Sequence, residues 1–353
     1  MNAYAKLRAT RRTFLRGGAA VLAAPMIVRV GGMSEAQAQG ANELTIGVLR
    51  APAAGIIAIA DRNDWFKEAG VNLDTVLFAA AAGPKIIQAL GGGSIDLSFV
   101  NSTASLLALG QGAVPLRLIS IPTDPSRLFA LIGRPGVESV QQLAGKKVAA
   151  TQGTALHYFL ARVLAKHGMK LSDIEFINLP AADGQAAFVA RRVDAIVPSV
   201  NGRFYLMNTD KEAREIFTHD DFAKAPNPGE KFLNYDLFVT TDKVLETKRE
   251  ALRRFLAAYH GKAVPYLTGR TTRPTALASI TQYVNTEQKN PTEPSIMEKI
   301  IDNSAFYDLA EVKKAMSAPD FRGSMEYQIK FFTDLGRMKS APNLDKAIVT
   351  DLV

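Results

Sequence analysis

The stretch from residue 143 to residue 200 constrains the fold of this chain more than any other. Its apolar residues predict a strand over 147–150, a helix over 156–164, a strand over 174–179, a helix over 184–192 and a strand over 195–197. A glycine turn at Gly153 precedes the first helix, and Gly168 suits a left-handed cap at its end. Strands that alternate with helices predict parallel strands in an open α/β unit.

The same order of elements occurs earlier in the chain. The pattern predicts a strand over 44–49, a helix over 55–70, a strand over 73–78, a helix over 83–91 and a strand over 95–100. The third strands also end alike, because the one after Asp96 leads to Asn101 and the one after Asp194 leads to Asn201. Two similar α/β lobes place their strand-end loops opposite each other, so we expect a ligand cleft between them.

The remaining segments predict how the two lobes are connected. A strand over 116–121 is followed by a predicted break at 122–126, a strand over 128–132 comes next, and a strand over 235–240 precedes a wholly helical remainder. We therefore expect residues 39–127 and 236–353 to form lobe 1 and residues 128–235 to form lobe 2. Two chain crossings make a hinge that permits closure and restrains twisting.

Composition excludes several classes of protein. With 47% hydrophobic and 22% charged residues, 353 residues suffice for two cored lobes. The net charge is +8, but the first 38 residues hold six Lys and Arg against one Glu, which leaves only +3 for the rest. Because this surplus is small and shows no basic run, we expect no nucleic-acid partner.

The first 38 residues carry the pattern of a targeting segment. Arg11 and Arg12 lie in a twin-arginine-like motif, residues 17–28 are modestly apolar, and residues 36–38 suit a cleavage site. The apolar run is shorter than the ~20 residues that span a membrane. The sequence has no cysteine, hence no disulfide and no lipid-bearing cysteine. We expect a periplasmic protein without a lipid anchor, exported by the twin-arginine route.

Several segments together resemble a known family. They are the L-x-G-K-K-V-A run from Leu143, the G-T-x-x-H-Y-F-L run from Gly153, the L-P-A-A-D segment from Leu179 with its V-D-A ending, and the G-x-I-D strand around Asp96. Over residues 44–269 the chain resembles solute-binding proteins of ABC importers for sulfonates, taurine, nitrate and thiamine-type pyrimidines. The resemblance implies a type II periplasmic binding protein fold, whose two lobes have open, mostly parallel sheets flanked by helices and a two-strand hinge. It also implies a small solute and a membrane permease as partners, and we expect a monomer without cofactor or metal.

The strand-end loops supply the predicted binding site. Its residues are Arg50, Ala51, Pro52, Ala81, Ala82, Gly83, Asn101, Ser102 and Thr103 from lobe 1, and Gly153, Thr154, His157, Asp183, Ser199, Asn201 and Arg203 from lobe 2. Helix N-termini carry partial positive charge and arginines carry full charges, so this set favours a sulfonate, a carboxylate or a similar oxyanion.

Three of these residues have a second interpretation. Thr154 suits an ordinary helix N-cap, and a histidine at the position of His157 is as often structural as ligand-binding. Asp183 suits either the amine of a zwitterionic solute or an N-cap before Gly184.

The sequence thus predicts a solute-binding protein rather than an enzyme. Its four histidines are scattered, and metal-ligand, nucleophile-elbow and Walker motifs are absent. Enzymes of related fold depend on cysteine, so a chain without cysteine cannot use the same chemistry. The open alternatives are a nitrate- or pyrimidine-binding protein, and an enzyme acting on a small organic acid or pyrimidine.

Overall fold

Two separate sheets organise the protein. The computed structural model describes residues 40–79, 82–112, 114–224, 231–289 and 291–353. The strands are β1 (Glu43–Leu49), β2 (Asn72–Phe78), β3 (Leu97–Asn101), β4 (Leu116–Asp124), β5 (Ala130–Gly133), β6 (Lys147–Ala150), β7 (Glu175–Asn178), β8 (Ala195–Ile196), β9 (Arg214–Thr218), β10 (Asp236–Thr241) and β11 (Ala305–Phe306). They form one sheet in the order β11-β4-β10-β3-β1-β2 and a second in the order β7-β6-β8-β5-β9.

Helices pack on both sheets. They are α1 (Gly55–Arg62), α2 (Trp65–Glu68), α3 (Gly83–Gly91), α4 (Ser102–Gln111), α5 (Ala155–Lys166), α6 (Ala181–Val189), α7 (Val200–Thr209), α8 (Asp242–Ala258), α9 (Val264–Thr268), α10 (Arg273–Thr286), α11 (Pro294–Asp302), α12 (Leu309–Ser317), α13 (Pro319–Asp334) and α14 (Leu344–Ala347). A π-helical turn, Tyr259–Ala263, joins α8 to α9. In the described residues, no helix is both long and apolar enough to cross a membrane.

The chain passes between the sheets twice, after β4 and before β10. Both β1–β2 and β1–β3 are parallel, whereas β10 is inserted antiparallel between β3 and β4. The second sheet has the same design, because β6 is parallel to β7 and β8 while β5 is antiparallel to β8. This arrangement confirms the expected two-lobed α/β fold with a two-strand hinge. The lobe boundaries at residues 127 and 235 stay a prediction.

Several predicted elements needed correction. The helix expected over 55–70 is broken, because Asp64 adopts a left-handed φ of 56° that no continuous helix allows. The break expected at Pro122 does not occur, because β4 runs through this residue. The pairing of β4 with β10 is irregular in this part of the strand, where proline has no N–H to donate. Two strands, β9 and β11, were not predicted at all. The C-terminal part is therefore not wholly helical.

The long helix α13 ties the two lobes together. Its Phe331 and Phe332 rings lie 5.4 Å and 6.4 Å from the ring of Tyr158 in α5, and Tyr158 is fully buried. One hydrophobic core contains residues of both sheets, for example Leu118 of β4 and Val148 of β6. Helix α13 thus fixes how the start of α5 faces lobe 1.

Candidate functional site

The carboxyl edge of the first sheet forms one wall of the candidate site. Because β10 runs opposite to β3, Asp236 pairs with Asn101 at this edge, and Thr123 of β4 pairs with Asp236 from the other side. In the β1–β3 pairing Val48 lies opposite Phe99, so Arg50 lies opposite Asn101 two residues further along both strands. Arg50 is exposed, and no acidic partner for it occurs in the part of the chain that the structure describes.

The start of α5, which follows the carboxyl end of β6 in the second sheet, forms the other part of the candidate site. Gly153 adopts a left-handed φ of 74°, and the Thr154 hydroxyl caps the helix by accepting from the N–H of Leu156 at 3.2 Å. The same hydroxyl donates to the Thr151 carbonyl at 2.7 Å. The N-cap interpretation of Thr154 is therefore confirmed, and contact with a ligand stays a prediction.

The side chain of His157, in the first turn of α5, is buried and not exposed at the candidate site. The side chain is buried between the rings of Phe176 and Phe331, with centroids 4.9 Å and 5.5 Å away, and its Nδ1 accepts from the Gly153 N–H at 3.3 Å. Burial, reinforced by the charge of Arg337, lowers the pKa of His157 to about 4, so the ring is neutral. These contacts favour the structural interpretation, in which His157 holds the Gly153 turn.

Arg337 is a candidate that the sequence did not reveal. One of its guanidinium nitrogens lies 3.5 Å from where a Cβ on Gly153 would stand. Arg337 is exposed, and none of the described residues forms a salt bridge with it. It follows the left-handed Gly336 after α13, far from Gly153 in sequence, and no local motif marks it.

Ser102 and Thr103 are buried beneath α13 instead of facing a cleft. Thr103 Oγ1 donates to Gln328 Oε1 at 2.8 Å and accepts from Asn234 Nδ2 at 2.9 Å, while Ser102 Oγ lies 3.2 Å from Gln328 Oε1. Asn101 caps α4 through the Thr103 N–H at 2.9 Å and donates to Asn234 Oδ1. Ser102, Thr103, Asn234 and Gln328 are all fully buried. The hydroxyls of Ser102 and Thr103 therefore bind Gln328 and Asn234, and contact of these two residues with a ligand stays a prediction.

The predicted residues Asn201 and Arg203 lie in a helix and not in a strand-end loop. Helix α7 begins at Val200, so Asn201 and Arg203 occupy its first turn, and Ser199 caps it by accepting from the Gly202 N–H at 3.3 Å. Arg203 donates to both carboxylate oxygens of Glu215, at 2.6 Å and 2.9 Å. This pairing neutralises the guanidinium, so Arg203 offers little charge to an anion.

The remaining predicted residues lie at helix starts and in turns. Helix α6 begins at Ala181 after Pro180, so Asp183 lies inside the first turn and is not the N-cap. Ala51 accepts from Gln288 Nε2 at 3.0 Å through its carbonyl, and Pro52 begins a short 3-10 turn. Ala82 precedes Gly83 at the start of α3, where no side chain caps the helix. Ala81 lies outside the described residues.

Comparison with known proteins then decides the family. The family model described as NMT1/THI5 like matches residues 51–268. This chain belongs to the NMT1/THI5-like family. A binding protein of Brucella abortus (strain 2308) is 26% identical over 291 residues, 81% of this chain and 83% of that protein. The taurine-binding periplasmic protein of Escherichia coli (strain K12) is 27% identical over 234 residues, 65% of this chain and 68% of that one.

Solved structures of similar fold include both a binding protein and an enzyme. The periplasmic aliphatic sulphonate binding protein SsuA of Escherichia coli matches with a TM-score of 0.70 and 18% identity, over 88% of this chain and 98% of that one. The desulfurization enzyme DszB matches with a TM-score of 0.62 and 13% identity, over 88% and 97%. At these identities the two structures establish the periplasmic binding protein fold for this member of the NMT1/THI5-like family.

Proposed function

We propose that this protein is the periplasmic solute-binding component of an ABC importer. It captures one small sulfonate-type solute between its lobes, leaves it unchanged and delivers it, as a monomer, to a membrane permease. The taurine-binding relative and the sulphonate-binding fold neighbour support the solute class. The observation that carries the proposal is the position of Arg337, whose guanidinium lies beside the start of α5 without an acidic partner in the described chain.

An anion at this position would meet two favourable charges. The N-terminus of a helix behaves as roughly half a positive charge, because its first N–H groups lack partners within the helix. Arg337 adds a full charge with N–H donors that match the oxygens of a sulfonate. Arg50, opposite Asn101 at the carboxyl edge of the first sheet, supplies a second free guanidinium.

We expect sulfonates to stabilise the protein against heat and Arg337→Ala to weaken their binding tenfold or more. A hydrogen bond to a charged group contributes about 1.5–3 kcal/mol. Thermal-shift and calorimetric titrations with sulfonates, carboxylates, nitrate and pyrimidines measure both effects. Lys339→Ala, which removes the same charge two residues further on, is the matched control. A response to pyrimidines or nitrate alone would reject the sulfonate class.

We also propose that residues 1–38, which lie outside the described residues, are a twin-arginine signal peptide. With no cysteine in the sequence, the mature protein has no cysteine for lipid attachment and is free in the periplasm. A variant with Arg11→Lys and Arg12→Lys should stay in the cytoplasm. Cell fractionation measures this, and normal periplasmic levels of the variant would exclude the route.

A further inference from the structure

Two carboxylates lie side by side where the hinge strands meet the carboxyl edge of the first sheet. Asp236 begins β10 and Asp124 ends the neighbouring β4. Both side chains are enclosed by protein on most sides, yet both residues remain partly exposed to solvent. Both therefore lie where the two hinge strands meet the carboxyl edge of the first sheet.

Asp236 is not paired with a cationic side chain in the described part of the chain. Among the described residues, neither carboxylate forms a salt bridge with a lysine or an arginine. Asp236 receives a hydrogen bond from Asn101 and faces Asp124, whereas Asp124 is bonded to Ser126 and has His219 nearby. Two ionised carboxylates side by side repel each other, and either a proton or a bound cation relieves that repulsion.

Two buried hydroxyl groups beside Asp236 lack hydrogen-bond partners. Thr123 is the cross-strand partner of Asp236, so the two side chains lie on the same face of the sheet. Tyr259 packs on Phe238, with ring centroids 4.9 Å apart, and Phe238 shares that face because β10 pairs regularly with β3 from Asp236 to Phe238. Thr123 Oγ1 and the Tyr259 hydroxyl are fully buried and form no hydrogen bond with any residue that the structure describes, which is costly for both.

We propose that Asp236, with Thr123 and Tyr259, binds the ammonium group of the solute, so that the solute is an amine-bearing anion. An ammonium group has three N–H donors and needs three acceptors. The Asp236 carboxylate and the two unpaired hydroxyl oxygens supply them, and Asp124 adds negative charge. This inference rests on the proposed function and narrows its solute class.

The charges along the sheet edge suit such a zwitterion. Arg50 and Asp236 are separated by two strand spacings, or about 10 Å. The anionic group of the solute is then drawn toward Arg50 and Arg337, and its ammonium group toward the hinge. Burial and the charge of Asp124 raise the pKa of Asp236 to about 7, although the hydrogen bond from Asn101 acts in the other direction. A bound cation offsets the cost of burying the ionised carboxylate of Asp236.

Paired ligands test the inference. Calorimetry on the full mature protein compares taurine with ethanesulfonate, and β-alanine with propionate, so that each pair differs by the amine. We expect wild-type protein to prefer the amine-bearing member at least tenfold. Asp236→Asn should remove that preference by weakening only the amine-bearing member of each pair. Asp334→Asn, on the exposed side of α13, is the charge-matched control and should change nothing.

The possible outcomes separate this inference from the proposed function. If ethanesulfonate binds as tightly as taurine, or if Asp236→Asn weakens both equally, the ammonium site is excluded and sulfonate binding stands. If only β-alanine binds, and does so through Asp236, the sulfonate class fails and the ammonium site stands. Binding of none of the four overturns both. Should Asp236→Asn fail to fold, Tyr259→Phe replaces it, with an expected loss of threefold or more for amine-bearing ligands only.

Discussion

Replacing Tyr158 by alanine is expected to destabilise the ligand-free protein by about 3–5 kcal/mol, the usual cost of truncating a large buried aromatic side chain. Tyr158 packs on Phe232 of the connection before β10 as well as on Phe331 and Phe332 of α13. Its hydroxyl accepts from Arg162 Nη1 at 2.9 Å. The substitution therefore opens a cavity where the two lobes meet.

Urea denaturation of the mature protein measures this loss. Tyr205→Ala is the matched control, because Tyr205 lies in α7 with 51% of its surface exposed, and it should change stability by no more than about 0.5 kcal/mol. Equal effects of the two substitutions would mean that α5 does not pack on α13 as described.

The second large effect is expected at Gln328. Gln328→Ala leaves the buried hydroxyls of Ser102 and Thr103 without their amide partner, and each unsatisfied buried group costs about 1–3 kcal/mol. Asn234, 3.4 Å from Gln328 Oε1, also loses a neighbour. A total loss of about 3 kcal/mol is expected.

The same denaturation series measures it. Lys330→Gln removes only an exposed ion pair with Asp334 on the same helix and should cost about 0.5 kcal/mol or less. Should Gln328→Ala prove as harmless as this control, the buried network between α4 and α13 would be refuted.

Local sequence signals predicted much of the fold. The strand over 147–150 and the helix over 83–91 occur with the predicted bounds, because apolar spacing and flanking glycines act within a few residues. Gly168 has the predicted left-handed φ, 72°. The internal repeat predicted two lobes correctly, since each half needs its own sheet to bury its apolar strands.

The contacts around the candidate site could not be predicted in the same way. Gln328 and Arg337 come from the C-terminal part, and only the path of α13 brings them to α4 and α5. Arg203 looked free because Glu215 belongs to β9, a strand that the sequence pattern did not reveal. Long-range partners of this kind are set by tertiary packing, on which local propensity and periodicity carry no information.

The central claim is that this protein binds a small sulfonate and does not transform it. Incubating the mature protein with taurine or ethanesulfonate and then recovering the ligand by mass spectrometry tests this most directly. The account predicts one ligand per chain, recovered at its original mass after prolonged incubation. Sustained appearance of a new mass would show catalysis and contradict it, as would the absence of bound ligand for every sulfonate tested.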